Sequence, residues 1–312
     1  MTNRLEKVDR MVIFELRSRT MTTATRFWRS ALLGEAHHVE LPAGRIDFFE
    51  RGAGPALVFA HGWLANANLW RNVIDRLAGD YRCIAIDMPL GAHRTPVHAG
   101  ADLSPAGCAA IVAGVIDALG LAGATLIGND SGGAYSQIAA AAHPDLVGGL
   151  VLNACETRYD PFPPPPFDGL PLVARDPNAL AELLGALRDP QIRRSEAAYG
   201  LLIKRPIPDE VFDSYVLPSI TDPMILRDIA AVMSGTDSRE LHAAGRALAE
   251  SFDKPVLFAW NVDDTVFPIA NAERYAADLA DAAVVRIEGS YSFTPEDRPD
   301  ALADAIGTFS AH

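Results

Sequence analysis

The sequence predicts an α/β fold: a mostly parallel, eight-stranded sheet flanked by helices, with a helical segment inserted before the last two strands. Three observations carry this. Short apolar runs alternate with stretches of helical spacing over residues 56–153 and again over 256–309, the pattern of parallel strands joined by crossover helices. Between them, residues 156–250 show helical stretches and no strand signal. Within the first block, the run 124–127 ends in Gly128-Asn129-Asp130-Ser131-Gly132-Gly133, as a strand does when it turns sharply into a helix.

In chain order, residues 1–36 form an arm without clear periodicity, partly helical around 24–33. Residues 38–41 and 45–50 alternate apolar and polar like a half-exposed hairpin. A buried-type strand follows at 56–60, then His61-Gly62-Trp63, helical spacing over 66–77 and a strand at 83–86. Ser104 opens a helix that runs to 119, and Gly120 stops it. After the strand at 124–127 comes a helix over 131–142, ended by His143-Pro144, and a strand at 150–152 closed by Asn153. The inserted segment begins with a proline run at 161–166, read as a stiff spacer. Its helices fall at 178–187, 209–217, 224–233 and 239–251, and alternation resumes with 256–260, 272–279, 284–287 and 299–309.

Bulk composition narrows the class. Hydrophobic residues make up 49% and charged residues 21% of the 312 residues, as in ordinary globular proteins. The formal charge of −13 argues against a nucleic-acid partner. No stretch reaches the ~18 apolar residues of a membrane span, and no signal peptide is evident, so a cytoplasmic protein is expected. Cys83, Cys108 and Cys155 are too few and scattered for a disulfide framework or a zinc site, and are read as buried thiols. No cofactor or metal is implied. The expected partner is a small-molecule substrate, with a homodimer contact through the arm left open.

The three landmarks His61-Gly62, Gly128-x-Asp130-x-Gly132-Gly133 and Asp264, each after an expected strand end, resemble the α/β-hydrolase family. The resemblance spans roughly residues 37–310 and implies a core of 37–155 and 251–312 with a helical cap at 156–250. It points to the branch with an aspartate nucleophile, which includes epoxide hydrolases and haloalkane dehalogenases. Tight packing around such a turn requires small residues two before and two after the tip. Gly128 and Gly132 satisfy this for Asp130; centring the turn on Ser131 would put Asn129 in a crowded position. Asp130 could also serve simply as the helix N-cap.

A carboxylate nucleophile attacks an sp³ carbon and leaves an alkyl-enzyme ester, which water must then hydrolyse. By resemblance, the backbone N–H groups of Trp63 and Ser131 would form the oxyanion hole and Asp264 would be the triad acid. Glu156 is the runner-up acid, and Asp263 is read as a solvated loop residue. The sequence departs from the family at the base. Ser292 falls where the family has histidine, and no histidine stands between His242 and His312. Serine cannot take a proton as imidazole does at neutral pH, and general-base help is worth about 10²–10⁴-fold. The replacements considered are His93, on the loop after the fourth strand, and water ordered by Ser292. Substrate contacts are expected from His61, whose alternative role is to order the oxyanion loop, and from Tyr199 and Tyr215, placed like the tyrosines that hold the epoxide oxygen in epoxide hydrolases. The function expected is cofactor-independent hydrolysis of a small apolar, epoxide-like substrate. The alternative is a non-hydrolytic, ligand-binding or cyclase-like member of the fold.

Overall fold

A computed structural model describes residues 26–311. One eight-stranded sheet runs in the order β1-β2-β4-β3-β5-β6-β7-β8. The strands are β1 (Glu35–Leu41), β2 (Gly44–Arg51), β3 (Ala56–Ala60), β4 (Arg82–Ile86), β5 (Ala124–Asn129), β6 (Val147–Asn153), β7 (Val256–Asn261) and β8 (Ala282–Ile287). The β1–β2 and β2–β4 pairings are antiparallel and the others parallel. The central strands read as unbroken apolar runs because helices cover both faces: every residue of β7, Val-Leu-Phe-Ala-Trp-Asn, is buried. β1, at the edge, is mostly exposed.

The core helices are α1 (Arg71–Leu77), α2 (Pro105–Ala118) and α3 (Ser131–Ala142), and the insertion contributes α4 (Pro177–Gly185), α5 (Asp209–Thr221), α6 (Pro223–Gly235) and α7 (Ser238–Ser251). After β7 come α8 (Ile269–Ala276) and α9 (Pro299–Ser310). Ser104 does open α2, its side chain accepting the Gly107 N–H at 3.2 Å. The expected helix over 66–77 is split into a 3₁₀ turn, Ala67–Trp70, and α1. The arm contributes a 3₁₀ turn, Ala31–Leu33, while the start of its expected helix lies outside the described residues. No helix among the described residues is long and apolar enough to cross a membrane. All three cysteines are free and buried.

Only helices lie between β6 and β7. They dock on the core through polar contacts. Tyr199 donates to the Leu64 carbonyl at 2.6 Å and Asn66 Nδ2 to the Ser214 carbonyl at 2.9 Å. Asp228 of α6 meets His93 Nε2 at 3.1 Å and accepts the Val97 N–H at 3.0 Å. Asp297 accepts the Lys204 and Arg205 N–H groups at 2.9 and 2.7 Å.

The strand order reverses between β3 and β5, which pair directly, Ala60 opposite Gly128. In such sheets the crevice at the reversal point opens beyond the carboxyl ends of the strands. Residues 61–63 and 129–131 therefore emerge side by side.

Candidate active site

Asp130 occupies the tip of the β5–α3 turn with φ +55° and ψ −143°, a conformation costly for a residue with a Cβ. Three glycines make room for it. A Cβ on Gly128 would lie 2.5 Å from Gly133 Cα, one on Gly132 would lie 2.4 Å from the Ala60 carbonyl oxygen, and one on Gly62 would lie 2.3 Å from Asp130 Oδ1. Ser131 is not at the tip; it is the first residue of α3. Its N–H donates to Asp130 Oδ1 at 2.5 Å, so Asp130 also caps the helix. The Trp63 N–H donates to Ser131 Oγ at 3.0 Å. Burial raises the Asp130 pKa, and hydrogen bonds from Ser131 and from the Trp63 N–H oppose that rise.

Asp264, after β7, is placed by its own turn. Its Oδ1 accepts the Val266 and Phe267 N–H groups, each at 2.9 Å, and the Ser292 hydroxyl at 3.0 Å. Its Oδ2 is buried and has no partner. Burial pushes the carboxyl up to about 6 against those hydrogen bonds. Ser292 is fully buried and joined to Asp264. Asp263 faces outward to Lys204 Nζ at 2.7 Å. Glu156, after β6, is also buried, with Oε2 unpartnered. Desolvation, then the nearby Asp130 charge, holds its pKa well above the ordinary value, which disfavours its charged form.

The remaining candidates are engaged elsewhere. His61 is fully buried and uses both ring nitrogens: Nε2 accepts the Met88 N–H at 3.0 Å, which leaves Nδ1–H to donate to the Gly62 carbonyl at 2.9 Å. Burial lowers its pKa to about 4, so it is neutral. This corrects the expected substrate contact, because His61 orders the 61–63 loop. His93 is turned to Asp228, and no hydrogen bond joins it to Asp130. Tyr215 donates to Glu296 at 3.0 Å, within the bidentate Arg71–Glu296 pair, so it is not a substrate donor. Tyr199 packs edge-on against Phe293, next to Ser292, but its hydroxyl donates to Leu64. His143 ends α3 as expected.

Two arrangements escape the sequence reading. The first is a ladder of asparagines. β5, β6 and β7 each end in Asn, at 129, 153 and 261. Asn129 Nδ2 donates to the Asn153 carbonyl at 3.0 Å and to the Ser292 carbonyl at 2.8 Å. Asn153 Nδ2 donates to Thr294 Oγ1 at 2.9 Å, and Asn261 Nδ2 to the Tyr291 carbonyl at 2.7 Å. The ladder fixes the 291–294 loop against the elbow. Three neighbouring strands ending in the same amide residue is a signal legible in the chain. The second is an aromatic wall. Trp63 Nε1 donates to Tyr135 Oη at 2.9 Å, and Phe162 from the proline run packs on both rings, with centroids 5.9 and 5.8 Å away.

Comparison with known proteins agrees with this fold. Residues 55–299 match the family model described as alpha/beta hydrolase fold. The chain is 25% identical over 284 residues to haloalkane dehalogenase 2 of Mycobacterium tuberculosis (strain ATCC 25618 / H37Rv), covering 87% of this chain and 93% of that protein. It is 38% identical to an epoxide hydrolase of Caballeronia sordidicola, but over 98 residues, 31% of this chain and 30% of that one. The crystal structure of haloalkane dehalogenase DbeA from Bradyrhizobium elkani USDA94 superposes with a TM-score of 0.71 at 23% identity, over 89% of this chain and 98% of that one, a likeness of fold. With a strained acidic elbow at the sheet's reversal point and a family match over most of its length, the chain belongs to the α/β-hydrolase fold family.

Proposed function

We propose that this protein is a hydrolase in which the Asp130 carboxylate attacks a small apolar electrophile, an epoxide in preference to a haloalkane, and forms an alkyl-enzyme ester. The observation that carries this reading is the position of Asp130: at the strained tip, with glycine at 128, 132 and 62 around it and the N–H groups of Ser131 and Trp63 about its carboxylate. The same N–H groups would hold the oxyanion when water attacks the ester. The wall of Trp63, Phe162 and Tyr135 suits an apolar substrate.

The preference against halide rests on donors. The Trp63 indole N–H is directed to Tyr135, and residue 131, next to the nucleophile, is a serine with no indole to offer. A halide leaving as an anion would find few donors here. The second reading, a ligand-binding or non-hydrolytic homologue, draws on Ser292: it meets Asp264 where the family resemblance calls for histidine.

Intact-mass measurement after incubation with epoxides, alkyl halides and activated esters separates the two. The hydrolase reading expects turnover or a covalent adduct that maps to Asp130 and vanishes in Asp130→Asn. Tight binding of small ligands without adduct or turnover would favour the second reading and sink the first.

A further inference from the structure

Hydrolysis of the ester needs a base, and the histidines near the elbow do not supply one. His61 has both ring nitrogens bonded within its loop, and His93 faces Asp228. Burial and the Asp130 charge raise the Glu156 pKa, disfavouring the ionised form. Asp264 differs from all three. Its Oδ1 is saturated by three donors, while its Oδ2 is buried with no partner. A buried carboxylate oxygen without a donor is costly, and such atoms need an explanation.

We propose that Asp264 is itself the base of the second half-reaction, taking a proton at Oδ2 directly from the water that attacks the ester, with Ser292 as the residue that positions this water. The inference rests on the Asp130 ester reading above. Ser292 gives its own proton to Asp264 Oδ1, so its oxygen keeps lone pairs for a water O–H. Its carbonyl is held at 2.8 Å by Asn129, the residue before the nucleophile, which ties Ser292 to the end of β5 that carries Asp130. The groups about Asp264 are the N–H groups of Phe267 and Val266, the Ser292 hydroxyl and the Asn261 amide, all neutral, and the Asn261 amide itself donates to the Tyr291 carbonyl and accepts from Thr294. The neighbouring Asp263 is turned to Lys204. A carboxyl with its pKa near 6 is ionised at neutral pH yet more basic than an exposed aspartate, which suits a direct base.

The step balances without a further reactant. Water oxygen bonds to Asp130 Cγ as one water proton passes to Asp264 Oδ2, and the Trp63 and Ser131 N–H groups hold the resulting oxyanion. Collapse breaks the bond between Cγ and the ester oxygen. The departing alkoxide takes the proton from Asp264, and the second water proton, left on the Asp130 carboxyl, passes to solvent, or to the ring-opened oxygen of an epoxide; both carboxylates are then in their starting state and an alcohol, or a diol from an epoxide, is released.

The test is single-turnover mass spectrometry with styrene oxide as probe. Wild-type adduct should decay faster as pH rises through about 6 and level off above. In Asp264→Asn the adduct should form, then decay at least about 10²-fold more slowly and without that inflection. Ser292→Ala should slow decay by about tenfold and keep the inflection, as a positioning residue would. His93→Gln provides a second measurement that does not depend on the folding of the Asp264 variant: it should decay with the wild-type profile. Adduct that decays at the wild-type rate in Asp264→Asn overturns the base assignment alone. So does loss of the inflection in His93→Gln. Absence of adduct and turnover in every protein overturns the Asp130 reading and this inference together.

Discussion

The face where the inserted helices dock and the edge where the elbow emerges both bury acidic groups, and they treat them in opposite ways. On the docking face each acid is satisfied. Asp297 is fully buried and accepts the N–H groups of Lys204, Arg205 and Tyr291. Glu296 forms a two-pronged pair with Arg71 at 2.5 and 2.8 Å, and Asp228 is shared by His93 and Val97. At the elbow, Asp264 and Glu156 each bury a carboxyl oxygen without a partner, and burial is the first cause of the raised pKa at Asp130, Glu156 and Asp264. Fully paired acids hold a structure together; acids left short of donors are poised for chemistry, at a cost in stability. Substitutions on the two sides should therefore move stability in opposite directions.

The largest effect is expected on the docking face. Asp297→Ala leaves the N–H groups of Lys204, Arg205 and Tyr291, which meet it in part-buried contacts, without their acceptor. A buried orphaned group costs about 1–3 kcal/mol, and water reaching these part-buried sites keeps each near the lower end, so a total of about 3 kcal/mol should be lost in urea unfolding. The loop carrying Ser292 begins at Tyr291, so hydrolytic activity should fall as well. A loss below ~1 kcal/mol would mean that these bonds do not hold the loop.

The elbow should behave in the reverse sense. Asp264 titrates at about 6 in the folded chain against 3.8 ordinarily. The folded state thus binds more protons between those values, and its stability falls as pH rises from about 4 to about 6. One pKa unit corresponds to about 1.4 kcal/mol, which bounds the cost at roughly 3 kcal/mol at neutral pH. Asp264→Asn removes that cost. Its stability relative to wild type should be higher at pH ~7.5 than at pH ~4 by about 1–3 kcal/mol, while activity drops. Denaturation midpoints at the two pH values decide it; an equal shift at both would erase the contrast between the two regions.

How much of this is legible in the chain follows from the kind of signal each feature leaves. The central strands show because parallel strands covered on both faces are apolar throughout, the β1–β2 hairpin shows by its alternation, and the elbow shows because Gly128 and Gly132 stand two residues to either side of Asp130. Ser292 shows by its register before the last helix, and the structure brings it to Asp264. The destinations of Tyr199, Tyr215, His61 and His93 do not show. Each depends on a partner distant along the chain or on a backbone group, such as Glu296 for Tyr215 and the Met88 N–H for His61. A side chain's identity says what it can donate, and only tertiary packing says to whom. The asparagine ladder lies between these cases, visible as a repeat at strand ends but meaningful only once β5, β6 and β7 are known to be neighbours.

The smallest effect expected is also the sharpest test of the boundary between the two regions. Tyr215 would be a catalytic donor if it faced the substrate, yet it donates to Glu296, whose charge is already matched by Arg71. Tyr215→Phe removes one hydrogen bond to a carboxylate and keeps the ring, so stability should fall by about 1–2 kcal/mol. The rates of adduct formation and decay with styrene oxide should stay within about twofold of wild type, because the hydroxyl touches nothing at the elbow. A loss of adduct formation by about 10²-fold, the scale of lost general-acid help, would move Tyr215 across that boundary and place the docking face inside the chemistry.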